Sequence, residues 1–210
     1  MSDSKPIRIL IAEDHLIARV GVTTIVNMQP DMTVVAEAST GQQAVDLFAK
    51  HLPDVALLDL RMPGLSGFDA AAAIRSRYAH ARMIALSTYG GDEDIRRALD
   101  AGVQAYLTKD VLHDELLAAI RTVHAGGRYL PPAVAAALAA QFPRPVLSTR
   151  EKEVLSLIVQ GMGNKQIAFA LNIAEYTVKN HVKSILSKLD VQDRTQAATA
   201  AIQRGIIHLP

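Results

Sequence analysis

Two stretches of this chain end in carboxylates where an apolar run stops. Val55-Ala56-Leu57-Leu58 runs into Asp59, and Met62-Pro63-Gly64 then closes the segment with a turn. Four apolar residues bounded in this way read as a strand buried on both faces, as in a parallel sheet. Asp59 then stands at a strand's carboxyl end, the edge where open α/β sheets bind their ligands. One acid after one strand is ordinarily a solvated side chain. A second stretch changes the reading, because Ile7-Arg8-Ile9-Leu10-Ile11-Ala12 is also strand-like and ends in the adjacent pair Glu13-Asp14. Three carboxylates at one sheet edge repel one another, and a divalent cation bound among them relieves the repulsion. All-oxygen donors suit a hard ion, Mg²⁺ or Mn²⁺.

The elements that must position these acids can be read from periodicity. Leu16, Val20, Thr24 and Val26 recur at helical spacing and predict a helix over His15 to Met28, ended at Gln29-Pro30. A strand over Thr33 to Ala38 follows, then a helix from Gly41 that carries Ala44, Val45, Leu47 and Phe48 and stops at Leu52-Pro53. After the Asp59 strand come an Ala-rich helix (Phe68 to Arg77), a strand (Met83 to Ser87) and a helix (Asp92 to Ala101). A short strand (Ala105 to Leu107) and a helix (Val111 to Ala125) complete the series. Five βα units predict a mostly parallel sheet with helices on both faces. Ser87-Thr88 and Thr108-Lys109 also fall at strand ends, so four of the five strands deliver polar side chains to one edge.

With 210 residues, half of them hydrophobic and 20% charged, the chain can form one large core or two small ones and is not of disordered composition. It contains no cysteine, which excludes disulfides and thiolate metal sites. No apolar run approaches about 18 residues, and Met1-Ser2-Asp3-Ser4-Lys5-Pro6 lacks the apolar core of a signal peptide. A soluble cytoplasmic protein with no membrane partner is expected. The net charge of +1 hides an asymmetry: residues 1–126 hold 12 Lys and Arg against 16 Asp and Glu, whereas residues 127–210 hold 10 against 5. The C-terminal part, at +5, suits a polyanionic partner.

Gly126-Gly127 ends the alternation, and residues 127–146 read as a linker in which Pro131-Pro132 starts a short helix and Pro143-Arg144-Pro145 ends it. From Ser148 the pattern is helical. Ser148 with Glu151 forms a capping box before Val154, Leu155, Leu157 and Ile158; Gly161-Met162-Gly163 ends that helix. Helices over Asn164 to Leu171, Glu175 to Leu189 and Thr195 to Arg204 complete a bundle of four. In the third of them Val178, Val182, Ile185, Leu186 and Leu189 form an inward stripe, while Tyr176, Lys179, Asn180, Lys183 and Ser187 form a separate one. Long cations and an amide on one helix face, after a short helix and a tight turn, match helix-turn-helix reading of the major groove.

Together these residues closely resemble a two-component response regulator of the NarL/FixJ type over nearly the whole chain. The resemblance implies a flavodoxin-like five-stranded parallel receiver domain (6–126), the linker (127–146) and an all-α four-helix LuxR-type DNA-binding domain (147–210). It implies Asp59 as phosphoacceptor and Glu13, Asp14, Asp59 and the carbonyl of Arg61 as ligands of Mg²⁺ or Mn²⁺. Lys109 and Ser87 then engage the phosphoryl group, and Tyr106 is the aromatic that changes rotamer with it. Leu147-Ser148-Thr149-Arg150-Glu151 and Asn164-Lys165-Gln166-Ile167-Ala168 resemble the opening helices of the DNA-binding domain, and Thr177-Val178-Lys179-Asn180-His181-Val182-Lys183 its recognition helix. By that match Lys179, Asn180 and Lys183 read bases, and Lys165, Thr177, His181 and Lys188 contact phosphates or flanks. The partners implied are a sensor histidine kinase, double-stranded DNA, a second copy on activation, and RNA polymerase. Two departures stand out. Gly163 replaces the usual capping Ser, so that the start of the second helix either frays or uses Asn164 as its cap, and Tyr89-Gly90-Gly91 is unusually Gly-rich.

Two rival readings make other predictions. A Mg²⁺-dependent phosphohydrolase of the haloacid dehalogenase type needs Asp-x-Asp, and Asp59 is followed by Leu60-Arg61; no Walker-type Gly-Lys-Ser/Thr loop exists either. The chain therefore reads as a regulator rather than an enzyme. The other rival is a DNA-binding regulator whose receiver serves only to dimerise, for which the fate of an Asp59→Asn variant is the discriminator.

Overall fold

The computed structural model describes residues 5–88, 91–110, 113–132, 134–135 and 147–207. They form two compact units. The expected end of the linker helix and the Tyr89-Gly90 part of the Gly-rich loop lie outside the described residues.

In the first unit the strands are β1 (Ile7–Ala12), β2 (Met32–Ala38), β3 (Val55–Asp59), β4 (Met83–Ser87) and β5 (Ala105–Thr108). They lie in the order β2-β1-β3-β4-β5, and every pairing is parallel. This is the flavodoxin-like order, whose switch point falls between β1 and β3. All five residues of β3 and of β4 are buried, as strands covered on both faces must be. The helices are α1 (Leu16–Asn27), α2 (Gly41–His51), α3 (Gly67–Arg77), α4 (Asp92–Asp100) and α5 (His113–His124).

Helix α1 forms where its spacing predicts, but that spacing does not by itself mark the buried face. Leu16 and Val20, whose spacing marks the helix, are 63% and 53% exposed, and Ile17 is 88% exposed. Val22, Ile25 and Val26 instead pack into the core with Leu116, Leu117 and Ile120 of α5. The helix is apolar around much of its circumference, so spacing reveals that it is a helix without choosing its inner side. Tyr129, at the start of the expected linker, packs on the same core, and its N–H donates to the carbonyl of Gln104 at 3.1 Å. The chain therefore stays with the α/β unit for several residues past Gly127.

One glycine fixes how β3 hands over to α3. A Cβ on Gly67 would stand 2.0 Å from the carbonyl oxygen of Asp59, so only a glycine lets the helix start this close to the strand end. Ser66 caps the helix by accepting from Asp69 N–H at 3.2 Å.

The second unit holds α6 (Thr149–Val159), α7 (Asn164–Ala170), α8 (Glu175–Leu189) and α9 (Arg194–Gln203) around Val154, Leu155, Ile167, Val178, Ile185 and Ala201. Gly163 is the N-cap of α7, and its N–H donates to Gln166 Oε1 at 2.8 Å. A glycine cannot return that bond. Asn164 does not take over as cap, since its Oδ1 is buried with no hydrogen-bond partner.

The capping box at Ser148 is present and has a further function. Glu151 accepts from Ser148 N–H at 2.6 Å, from Ser184 Oγ at 2.6 Å and from Lys188 Nζ at 2.7 Å, so one buried carboxylate ties the start of α6 to α8. Burial would raise its pKa, but Lys188, Ser184 and Ser148 outweigh that and hold it at about 2, below the ordinary 4.5. A depressed carboxyl stabilises the fold above its unfolded value and loses that contribution as pH falls through the folded one. We expect this unit to lose on the order of 2–3 kcal/mol between about pH 4.5 and pH 2 from Glu151 alone. Acid unfolding of wild type against Glu151→Gln, followed by circular dichroism, checks this. The variant should be less stable at neutral pH and flatter across that window, and parallel curves would contradict it.

Candidate functional site

Three strand ends build the first site. β1 leads into Glu13 and Asp14, β3 ends in Asp59, and Lys109 directly follows β5. Because β1 and β3 are neighbours at the switch point, the acids of two strands share one crevice. Glu13 and Asp59 are each 1% exposed. Lys109 Nζ lies between them, 2.7 Å from Glu13 Oε2 and 2.9 Å from Asp59 Oδ2. The Arg61 N–H donates to Asp59 Oδ1 at 2.9 Å.

The electrostatics follow from burial. Desolvation pushes the Asp59 carboxyl up to about 6; the Arg61 N–H and the Lys109 ammonium pull it down, and the Glu13 charge adds to the rise. Desolvation also works against the Lys109 charge, but hydrogen bonds to Glu13 and Asp59 outweigh it and raise the lysine's pKa. Glu13, Asp14, His15 and Asp59 each offer a donor atom within 4.8 Å of the others. Asp14 Oδ1 is buried without a hydrogen-bond partner, and His15 Nδ1 stands 2.9 Å away. An orphaned carboxylate oxygen beside two buried carboxylates is a donor set that fits a hard divalent cation.

The structure brings the other receiver residues to the same edge. Ser87 ends β4, is fully buried, and accepts from Lys109 N–H through its backbone carbonyl at 2.7 Å. Tyr106 in β5 is completely enclosed. Sequence reasoning overlooked His15, although its place directly after Glu13-Asp14 was the available signal. It also overlooked Arg19, whose guanidinium donates to the Glu13 carbonyl at 2.6 Å and braces the turn after β1.

The second candidate site is the outer face of α8. Lys179, Asn180 and Lys183 are exposed there, and Lys165 is exposed on α7. Val178, Ile185 and Leu189 are buried on the opposite side, as the two stripes require. Thr177 and His181 are partly buried. Lys179 Nζ stands 3.3 Å from Glu175, an exposed pair worth only a few tenths of a kcal/mol and easily exchanged for another anion. Lys188 differs from the rest. Its ammonium is engaged with buried Glu151, so the fold already accounts for a lysine that sequence reading assigned to DNA. Among the described residues no helix is long and apolar enough to cross a membrane.

Comparison with known proteins agrees with both halves. The model of the response regulator receiver domain matches residues 9–121, and that of the bacterial regulatory proteins of the luxR family matches residues 145–201. The nitrate/nitrite response regulator protein NarL of Escherichia coli (strain K12) is 39% identical over 98% of this chain and 100% of its own length. The transcriptional regulatory protein DegU of Brevibacillus brevis is 36% identical over 95% of this chain and 94% of its own. Among solved structures, the response regulator ChrA of a heme-sensing two-component system is 38% identical, covers 97% of this chain and 100% of its own, and superposes with a TM-score of 0.58. The RcsB–DNA complex, at 23% identity and a TM-score of 0.69 over 95% of this chain and 99% of its own, shares the fold. With an Asp-Lys pocket at the edge of a parallel sheet, a helix-turn-helix bundle behind it in sequence, and relatives matched along nearly their full length, the chain belongs to the DNA-binding response regulators of two-component systems.

Proposed function

We propose that Asp59 accepts a phosphoryl group from the phosphohistidine of a sensor histidine kinase and that the modified receiver controls DNA binding by residues 147–210. The observation that carries this reading is the placement of Lys109 within 2.9 Å of Asp59 and 2.7 Å of Glu13 at the switch-point edge. Glu13, Asp14, Asp59 and the Arg61 carbonyl would hold Mg²⁺ or Mn²⁺, which would supply positive charge to offset that of the transferring group. Asp59 Oδ is the nucleophile. Lys109, already at its oxygens, keeps its charge and moves from the carboxylate to the phosphoryl group. Ser87 donates its hydroxyl hydrogen to a phosphoryl oxygen. The aspartyl phosphate adds roughly 1.5 to 2 negative charges, and the inward pull on Ser87 and Lys109 reaches Tyr106 through β4 and β5.

A second copy joins on activation, so that two recognition helices meet half-sites about one helical turn apart or a multiple of it. Lys179, Asn180 and Lys183 read base edges; Lys165, Thr177 and His181 hold the backbone. Cytoplasmic DNA and RNA polymerase are the setting in which such a regulator acts.

Two measurements test this. Incubated with acetyl phosphate and Mg²⁺, the full-length protein should gain one hydroxylamine-sensitive phosphoryl group by mass spectrometry. Asp59→Asn should gain none and Lys109→Ala should gain it at least about tenfold more slowly, a conservative allowance for losing one pre-placed charge; equal labelling of Asp59→Asn would remove Asp59 from the mechanism. In binding selections on random duplexes, Asn180→Ala should relax preference at one base pair by about 1–3 kcal/mol, whereas Lys165→Ala should weaken all sequences alike and reduce the salt slope by about 1. A uniform loss for Asn180→Ala would take it off the base-reading face.

A further inference from the structure

A cation pocket made only of carboxylates and carbonyls discriminates weakly among hard divalent ions. This chain adds a nitrogen to the pocket. His15 follows the acid pair directly and is the N-cap residue of α1, yet its ring does not cap the helix. Its backbone N–H donates to Glu13 Oε1 at 3.1 Å, which turns the residue back toward β1. Nδ1 then stands 2.9 Å from Asp14 Oδ1 and 3.3 Å from Glu13 Oε1, and the ring is 74% exposed on its other side. Adjacent ligands in an octahedral shell with bonds of about 2.1 Å are about 3.0 Å apart, close to the 2.9 and 3.3 Å that separate Nδ1 from these two oxygens. The nearest of them, Asp14 Oδ1, is also the buried oxygen without a hydrogen-bond partner.

We propose that His15 is a nitrogen ligand to the cation held by Glu13, Asp14 and Asp59, and that it shifts the site's preference from Mg²⁺ toward first-row transition ions. The inference rests on the cation reading given above. Its chemical basis is ligand softness: water and carboxylate suit Mg²⁺ and Mn²⁺, whereas imidazole favours later ions such as Ni²⁺, following the usual order of divalent affinities. Mg²⁺ gains little from a ring nitrogen. The same ring therefore acts as a selectivity element.

The test uses the full-length protein loaded with Mg²⁺, Mn²⁺ or Ni²⁺ separately. By calorimetry, His15→Ala should weaken Ni²⁺ binding at this site at least tenfold and change Mg²⁺ affinity less than twofold. The exposed position of the ring makes the variant safe for folding, which circular dichroism verifies. Pulsed electron paramagnetic resonance of the Mn²⁺-loaded protein should show ¹⁴N modulation that His15→Ala abolishes, a signature that the protein's other histidines, unchanged in the variant, do not supply. If Mg²⁺ and Mn²⁺ bind, Asp14→Asn removes that binding, and His15→Ala alters neither the Ni²⁺ affinity nor the modulation, the inference is overturned and the cation site stands. If the wild type binds none of the three ions, both readings fall together.

Discussion

Glu13 and Asp59 are two carboxylates held almost out of water at neighbouring strand ends, with one ammonium between them. The parallel register forces the acids together, because β1 and β3 pair residue for residue up to Ala12 opposite Leu58 and the next positions carry the charges. Such a cluster persists only while positive charge compensates it, since removing one partner of a buried ion pair typically costs about 3–5 kcal/mol. Lys109 provides part of that compensation from β5, two strands away. Its own N–H is bonded to the Ser87 carbonyl, so the lysine that faces Asp59 also joins the ends of β4 and β5. The pocket thus gathers two buried carboxylates and one ammonium at a single sheet edge, the charge arrangement on which the proposed phosphoryl transfer rests.

The helical unit applies the same physics to a different end. Glu151 is nearly as buried as the receiver acids, but its partners are complete: a backbone N–H, a hydroxyl and an ammonium. Full satisfaction makes it a structural tie that fixes α8 against α6. Lys179, Asn180 and Lys183 stay exposed on the outer face, where Lys179 makes one weak exposed pair with Glu175. Asp59 shares its ammonium with Glu13, whereas Glu151 adds a hydroxyl and a backbone N–H to its own.

Much of this was legible in the sequence because the relevant periods are short. The apolar runs that end in Glu13 and Asp59 gave the strands and their chemical edge, and the Ser148-Glu151 spacing gave the capping box. The two stripes of α8 gave its buried and exposed faces. What was not legible depends on contacts between elements distant in sequence. The inner face of α1 is chosen by α5, about 90 residues away, and not by the spacing of Leu16 and Val20. The engagement of Lys188 with Glu151 spans 37 positions, so a lysine near the end of a recognition helix looked free to meet DNA. His15 was concealed differently. A lone histidine carries no periodic signal, and its place after the acid pair gains meaning only once its ring nitrogen is seen 2.9 Å from Asp14.

The central claim is that charge on Asp59 governs DNA binding through the receiver. The most direct measurement is operator affinity and solution mass of the full-length protein with Mg²⁺, in the presence and absence of beryllofluoride as a phosphoryl mimic. The account predicts that beryllofluoride tightens binding and shifts the mass from monomer to dimer together, and that Asp59→Asn loses both responses. Affinity and mass that stay the same in every condition would contradict it, and would leave the receiver as a module that does not gate the DNA-binding domain.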